Sequence, residues 1–557
     1  GTARTGYAYC FASSPERIEV KKFGGAENDQ KTLTNLLLHE DGSFCSFGHE
    51  ARTTYYEDAG KGLSNKLFFQ NFKMELAGEP ADLMTKKIKA LNGKEHSLKS
   101  VFVHTLRYVR EEALKEVSRA VPDGITRNQV HWVLTIPAIW RDSAKSFMRT
   151  CAVEAGLISQ RDSQSLVLAL EPEAACLSTE KAGNFLAAGD KFMVLDCGGG
   201  TVDITMHRVR SKAPFRLEEI AVADGGAWGS TYIDKNFELF IEQLITTPHW
   251  KVFCETPFYV ELMESWEKVK LNFRVDDTAS RPINLSLISE VLGDKVTFKE
   301  RIDLHNASHK KDLTLRGRTI LLIPPALIRE FHEVVVKKTV QCVLGLCQAH
   351  LPKYVFMVGG FSESDHLQHQ LKGMLTTPTR KVIVPMRPGL AVVKGAVLFG
   401  VSRDAFASRM LRYTYGTSTN IQFNAANKIH TGLSPETYRT YMQNGSPVVY
   451  VTGMFQLFAA VGASIPVDHK VAHEFLPATD GQSNVTFKLY ATQKESAIFV
   501  TEAGMQGRGS VTIPIDRKRR VDENAVTCEF CFGDTEIVVT VVNEDGAKET
   551  HVIDFNV

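Results

Sequence analysis

The segment with the densest chemistry is DCGGGTVD, residues 196–203. Three consecutive glycines in a tight turn remove every Cβ, so several backbone N–H groups can converge on one anion. Asp196 precedes the turn and Asp203 follows it. A phosphate held by N–H groups with carboxylates beside it calls for a divalent cation, usually Mg²⁺ held partly through water. Thr201 is placed to hydrogen-bond a terminal phosphate or to orient a water. Taken alone, the same octapeptide also reads as a glycine-rich hairpin with satisfied aspartates. The chain opens on GTARTGYAY, a second Gly-Thr turn entering a strand, so Thr2 and Thr201 are candidates for the paired threonines of two similar turns. Two such turns facing one another imply a duplicated architecture with a nucleotide between its halves. The Walker loop GxxxxGK[ST], the dinucleotide motif GxGxxG and the zinc motif HExxH are all absent.

The elements that must position these residues alternate between strands and helices. HWVLTIPAIW (131–140) reads as a strand meeting Pro137, followed by a helix over 142–155 with Asp142 or Ser143 as N-cap. SLVLALEP (165–172) is a strand ended by a proline, and KFMVLDCGGGTVDITMHRV (191–209) is strand, glycine turn, strand. Residues 324–351 form a long helix, YVFMVGGFSESDHLQHQL (354–371) a strand, glycine turn and helix, and GLAVVKGAVLFG (389–400) a small-residue helix. This alternation predicts an α/β architecture. After about residue 412, NVTFKLYAT, GSVTIPID, VTCEFCF and EIVVTVV are short period-two runs between turn residues, which predicts an all-β sandwich. The division falls near 402–416, giving units 1–412 and 413–557.

Composition narrows the class. The 557 residues are 43% apolar and 23% charged, enough for large packed cores. Lys plus Arg number 65 against 64 Asp plus Glu, a formal charge of +1, which argues against a general nucleic-acid binder or a polybasic membrane protein. Ten cysteines are too sparse for a disulfide scaffold and no leader opens the chain, so the thiols read as reduced and the location as cytoplasmic. Residues 440–467 carry no charge, but their prolines, glycines and β-branched residues indicate two buried strands turning near Gly462, not a membrane span. Cys528 and Cys531 would lie on opposite faces of a strand, and the pairs His305/His309 and His366/His369 lack a third ligand, so neither reads as a metal site.

VLTIPAIW, LEPEAA, DCGGGTVD, VGGFSES and GAVLFG occur in the order seen in the 70 kDa heat-shock protein family, and the chain resembles it over about residues 1–400, more weakly beyond. The wording WVLTIPAIWRDSAKSFMR, EPEAACL and VKGAVLFG looks most like the divergent heat shock 70 kDa protein 12 subfamily (12A and 12B). The resemblance implies an actin-like ATPase fold, with two lobes built from duplicated ribonuclease-H-like units, followed by a small β-sandwich. It implies ATP or ADP with Mg²⁺ as ligands. In its terms Gly1, Thr2 and Ala3 form the first phosphate turn. Gly198, Gly199, Gly200 and Thr201 cradle the β- and γ-phosphates, and Asp196 and Asp203 hold the Mg²⁺ waters. Glu171 points at the attacking water, and Pro137 is the hinge that reports nucleotide state. Lys73 matches the lysine that reaches the γ-phosphate by residue type only, against a solvated surface lysine. Gly229, Ser230 and Asp234 lie beyond the phosphates, Glu267 and Lys270 at the ribose and adenine, and Gly359 and Gly360 in the VGG turn.

The departures from that family pattern concern the base and the coupling. Leu271, Glu363 and Gly389 replace two arginines and an aspartate around the adenine, and Phe361 replaces a serine. The aspartate-bearing strand before the first Gly-Thr turn is not in the chain. Only Met410 and Leu411 stand for a longer aliphatic linker, and the chain stops at Val557 with no helical lid and no acidic cochaperone tetrapeptide. These features predict weak adenine selectivity and little coupling between nucleotide and partner. The expected function is a slow Mg-dependent ATPase with a chaperone-like or interaction role, its protein or peptide partners held by the sandwich. A nucleotide-binding scaffold with little hydrolysis is the alternative.

Overall fold

The computed structural model describes residues 1–23, 30–59, 65–77, 82–121, 124–161, 163–183, 186–293, 297–532 and 536–552. A seven-stranded sheet organises the middle of the chain, in the order Lys381–Ile383, Tyr354–Val358, Lys191–Cys197, Val202–Lys212, Phe215–Gly226, Phe406–Met410, Ser464–Pro466. Its central strands Lys191–Cys197 and Tyr354–Val358 are apolar on both faces because both are covered. Phe192 and Val194 face a core with Phe356 and Val358, while Met193, Leu195 and Cys197 face the main core with Val355 and Met357. The hairpin register pairs Asp196 with Asp203 and leaves Gly198 to Thr201 as its turn. The parallel register of the next strand pairs Asp196 with Val358, so the Gly359–Gly360 turn emerges at the same sheet edge.

The N-terminal part has a three-stranded sheet, Phe44–Phe47, Asn35–Leu38 and Leu67–Gln70, over a core shared with the helix Leu98–Ala120. Beside it, Trp132–Ile136 and Leu166–Leu170 pair in parallel with Ile136 opposite Leu170, so Pro137 and Glu171 leave their strands at one end. The helix Asp142–Glu154 begins as expected, but its N-cap is Arg141, with no side-chain cap bond; the Asp142 side chain lies outside the described residues. The small-residue helix, Ala391–Val401, has a packing reason for its composition: a Cβ on Gly395 would overlap the Ala174 carbonyl.

Beyond residue 412 two antiparallel sheets of five and four strands share one core, which includes Phe458, Phe487, Leu489, Phe530 and Val541. Cys528 lies in that core and Cys531 on the opposite face of the same strand. The uncharged segment forms the strands Ser446–Ala459 and Ser464–Pro466 around a turn with Gly462 at φ 76°. The second of these is largely exposed, not buried, and pairs with Phe406–Met410 at the edge of the central sheet. Among the described residues no helix is long and apolar enough to cross a membrane.

Contacts cross the expected division near residue 412, among them the pairing of Phe406–Met410 with Ser464–Pro466. Arg409 makes a buried bidentate pair with Glu173 at 2.8 and 2.9 Å. Arg149 forks onto Glu536 at 2.5 and 3.0 Å, and Arg412 donates to the Ala223 carbonyl. Short linker and exposed strand gave no local signal for these contacts, which join residues far apart in sequence.

Candidate functional site

The two Gly-Thr turns abut across a cleft of about 1930 Å³. A Cβ on Gly199 would lie 3.0 Å from the Ala3 Cβ, and one on Gly200 would overlap Met74 Sδ and stand 2.5 Å from Thr2 Oγ1. The glycines are therefore demanded by the approach of the other turn. A second contact sets the direction of their peptide planes. Gly229 N donates to Gly200 O at 2.9 Å, Ser230 N to Gly198 O at 3.1 Å and Thr231 N to Gly199 O at 2.8 Å. With these carbonyls occupied, the N–H groups of Gly199, Gly200 and Thr201 have no acceptor among the described residues and border the cleft. Gly229 and Ser230 thus spend their N–H groups on the turn itself. Gly229 must also lack a Cβ, which would sit 2.5 Å from Gly199 O.

Two aspartates stand at the base of the turn with no cationic side chain at salt-bridge distance among the described residues. Asp203 Oδ1 accepts from Ile139 N at 3.0 Å, while its Oδ2 is buried with no partner. Burial, and then the charge of Glu171, push Asp203 up to about 6. Asp196 is pushed well above the ordinary carboxylate range by burial and by the charges of Glu171 and Asp203. Gly359, at φ +85°, comes so close that a Cβ there would overlap Asp196 Oδ1, whereas Gly360 has open space. The chemistry of this donor set, two buried carboxylates with one orphaned oxygen beside free N–H groups, fits a phosphate-bound divalent cation. Among the described residues no group of three or more His, Cys, Asp or Glu could hold a metal by protein alone.

Glu171 opens its helix directly after Leu170, and Lys73 comes from the short turn Phe72–Leu76. The structure brings them together at 2.6 Å. Burial works against the Glu171 charge, but the positive charges around it, Lys73 first and Lys31 among the others, together hold the carboxyl below its ordinary value. Lys73 Nζ also lies 5.2 Å from the centre of the Trp140 ring, a cation–π contact. The loop after Pro137 is thereby tied both to Lys73, through Trp140, and to Asp203, through Ile139.

On the far wall, the helix Phe258–Leu271 carries Glu267 and Lys270 into the cleft. Asp234 grips Lys270 at 2.6 and 2.7 Å and accepts from Trp266 Nε1 at 2.9 Å. Glu261, Glu264 and Glu267 follow at spacings of three and share a face. Each meets a group from the N-terminal part: Tyr56, Arg52 at 3.4 Å and Arg4 at 3.5 Å. Leu271 is 55% exposed, and Phe361, at 6%, is packed in the main core. A Cβ on Gly389 would stand 2.8 Å from Glu363 Oε1, so a side chain at 389 would have to displace that carboxylate. Sequence reasoning passed over Lys31, Arg4 and Trp140. All three line the cleft; Arg4 and Trp140 even lie inside GTARTGYAY and VLTIPAIW, but only the long-range approach of the segments marks them for the site.

The mixed α/β organisation is compatible with an actin-like ATPase fold. No protein-family model matches the chain. It is similar over its whole length to human (Homo sapiens) heat shock 70 kDa protein 12B, 29% identical, and to human and mouse (Mus musculus) heat shock 70 kDa protein 12A, each 28% identical; all of this chain and 90% of each relative are covered. The resemblance carried by five motifs therefore extends from end to end, and to the heat shock 70 kDa protein 12 subfamily in particular.

Proposed function

We propose that the chain binds ATP and ADP with Mg²⁺ and is a slow ATPase whose nucleotide state serves protein interaction. Residues 1–412 would form a two-lobed actin-like unit and residues 413–557 a β-sandwich that engages protein or peptide partners. One observation carries the reading: the two Gly-Thr turns abut and point unused N–H groups at a cleft that also holds two buried aspartates. Asp196 and Asp203 would hold the Mg²⁺, which supplies charge neutralisation on the phosphates when bound. Gly199, Gly200 and Thr201 donate N–H groups to phosphate oxygens. Thr201 and Glu171 orient a water for in-line attack, and Asp203 keeps the Pro137 loop in register through Ile139. The closed Lys73–Glu171 pair supports slow turnover, because each group must leave or share its partner to act on phosphate or water. Calorimetry of Mg-ATP and Mg-ADP, followed by single-turnover hydrolysis in wild type and Thr201→Ala, tests the proposal. Absence of binding ends it; binding without Thr201-dependent hydrolysis reduces the protein to a nucleotide-binding scaffold.

A further inference from the structure

The segment that follows residue 29 runs antiparallel along the first Gly-Thr turn. Arg4 pairs with Leu33 and Thr5 with Thr32. Thr34 N donates to Ala3 O at 2.9 Å, and Thr34 Oγ1 to Gly1 O at 2.8 Å. Thr32 Oγ1 accepts from His49 N at 3.2 Å. The backbone next to Lys31 is thus pinned to the phosphate turn, and its side chain lines the cleft. Its stem crosses Gly6, where a Cβ would stand 3.0 Å from Lys31 Cγ. The ammonium senses the charges of Asp196, Glu171 and Glu363, in that order. It nevertheless has no carboxylate within salt-bridge distance among the described residues, whereas Lys73 holds Glu171 at 2.6 Å and Lys270 holds Asp234 at 2.6 Å. Desolvation lowers Lys31 below the ordinary lysine range. A partly buried cation without a counter-ion is costly in the free protein, and an anionic ligand removes that cost.

We propose that Lys31 is a phosphate-binding residue of the cleft, contacting the polyphosphate tail of the bound nucleotide. The proposal rests on the nucleotide reading above and adds a second cation to Lys73, one that is held ready by its backbone and not by a carboxylate. Lys31→Met is the test, with calorimetry against Mg-ADP, Mg-pyrophosphate and adenosine, and thermal melting of the ligand-free protein. The variant is expected to lose about tenfold or more in affinity for Mg-ADP and Mg-pyrophosphate, ~1.4 kcal/mol, to bind adenosine as wild type does, and to melt higher without ligand. Lys31→Arg should retain most of the affinity. Unchanged Mg-ADP and Mg-pyrophosphate binding overturns the assignment while leaving the nucleotide reading intact. Equal loss for adenosine, or a lowered ligand-free melting temperature, shows a structural lysine and also overturns it. A wild-type protein that binds none of the three probes removes both.

Discussion

Gly359 and Gly360 are neighbours with opposite demands. The first has a left-handed φ and no room beside Asp196; the second has neither restriction. Gly359→Ala should therefore reduce Mg-ATP affinity by about a hundredfold or more, nearly 3 kcal/mol, while Gly360→Ala stays within about threefold. Calorimetry on both variants, with circular dichroism to confirm folding, decides the point. Lys73 acts differently, through charge. Lys73→Met removes the foremost of the positive charges that lower Glu171. Single-turnover hydrolysis should fall by roughly 10²–10³, the usual loss for a group stabilising transition-state charge, while Mg-ADP binding changes far less. At the base end, Leu271, Glu363 and Gly389 leave little to clamp a purine, so competition should show ATP favoured over GTP by no more than about a hundredfold.

The strand Phe406–Met410 lies over a buried carboxylate. Glu219 accepts from Met410 N at 2.8 Å, and burial raises it from the ordinary 4.5 to about 7. A raised acid is protonated in the folded chain over a range where the unfolded chain has already ionised. The stability from this proton is complete below about pH 4.5 and is lost as the pH rises through about 7. Glu219→Gln keeps an acceptor for Met410 without the charge. It should raise the melting temperature at pH 8 by about 1 °C for each kcal/mol gained, the scale for a chain of this length, and the gain should vanish toward pH 4.5. A gain equal at both pH values would show that ionisation is not the cause. Elements of this kind mark the boundary of what the sequence disclosed. The hairpin 191–212, the helix Pro325–His350 and the small-residue helix were legible because periodicity and glycine runs are local. Glu219 under Met410, and the exposed strand Ser464–Pro466 added to the central sheet, were not, because nothing local distinguishes them from surface.

Across the whole molecule the same limit applies to the candidate site. Asp196, Thr201 and Asp203 announced themselves by backbone constraint, whereas Trp140 and Lys31 gained meaning only from segments that meet in space. The contacts between the N-terminal part and the C-terminal sheets, Arg149 with Glu536 among them, belong to this second class. Arg149 also donates to the carbonyls of Arg161, Ser163 and Leu166, so its loss would disturb folding locally. Glu536→Gln isolates the docking contact. Removing one charge of a buried pair typically costs about 3–5 kcal/mol. The variant should therefore be cut faster by trypsin at Arg403, Arg409 and Arg412, and its melting should split into two transitions. Unchanged cleavage would show that the strand pairing alone holds the parts together.

The amide-to-carbonyl clamp from Gly229, Ser230 and Thr231 onto Gly198–Gly200 has a bearing on how such a protein can diverge. The donors it turns toward the cleft are main-chain atoms, so this part of the anion site does not depend on side-chain identity. What selection must preserve is a set of vacancies, the missing Cβ atoms at Gly199, Gly200 and Gly229. On the nucleotide reading, residues around the base can change without erasing the anion site. A lineage built this way can exchange one nucleobase, one rate or one partner for another while its phosphate grip stays legible.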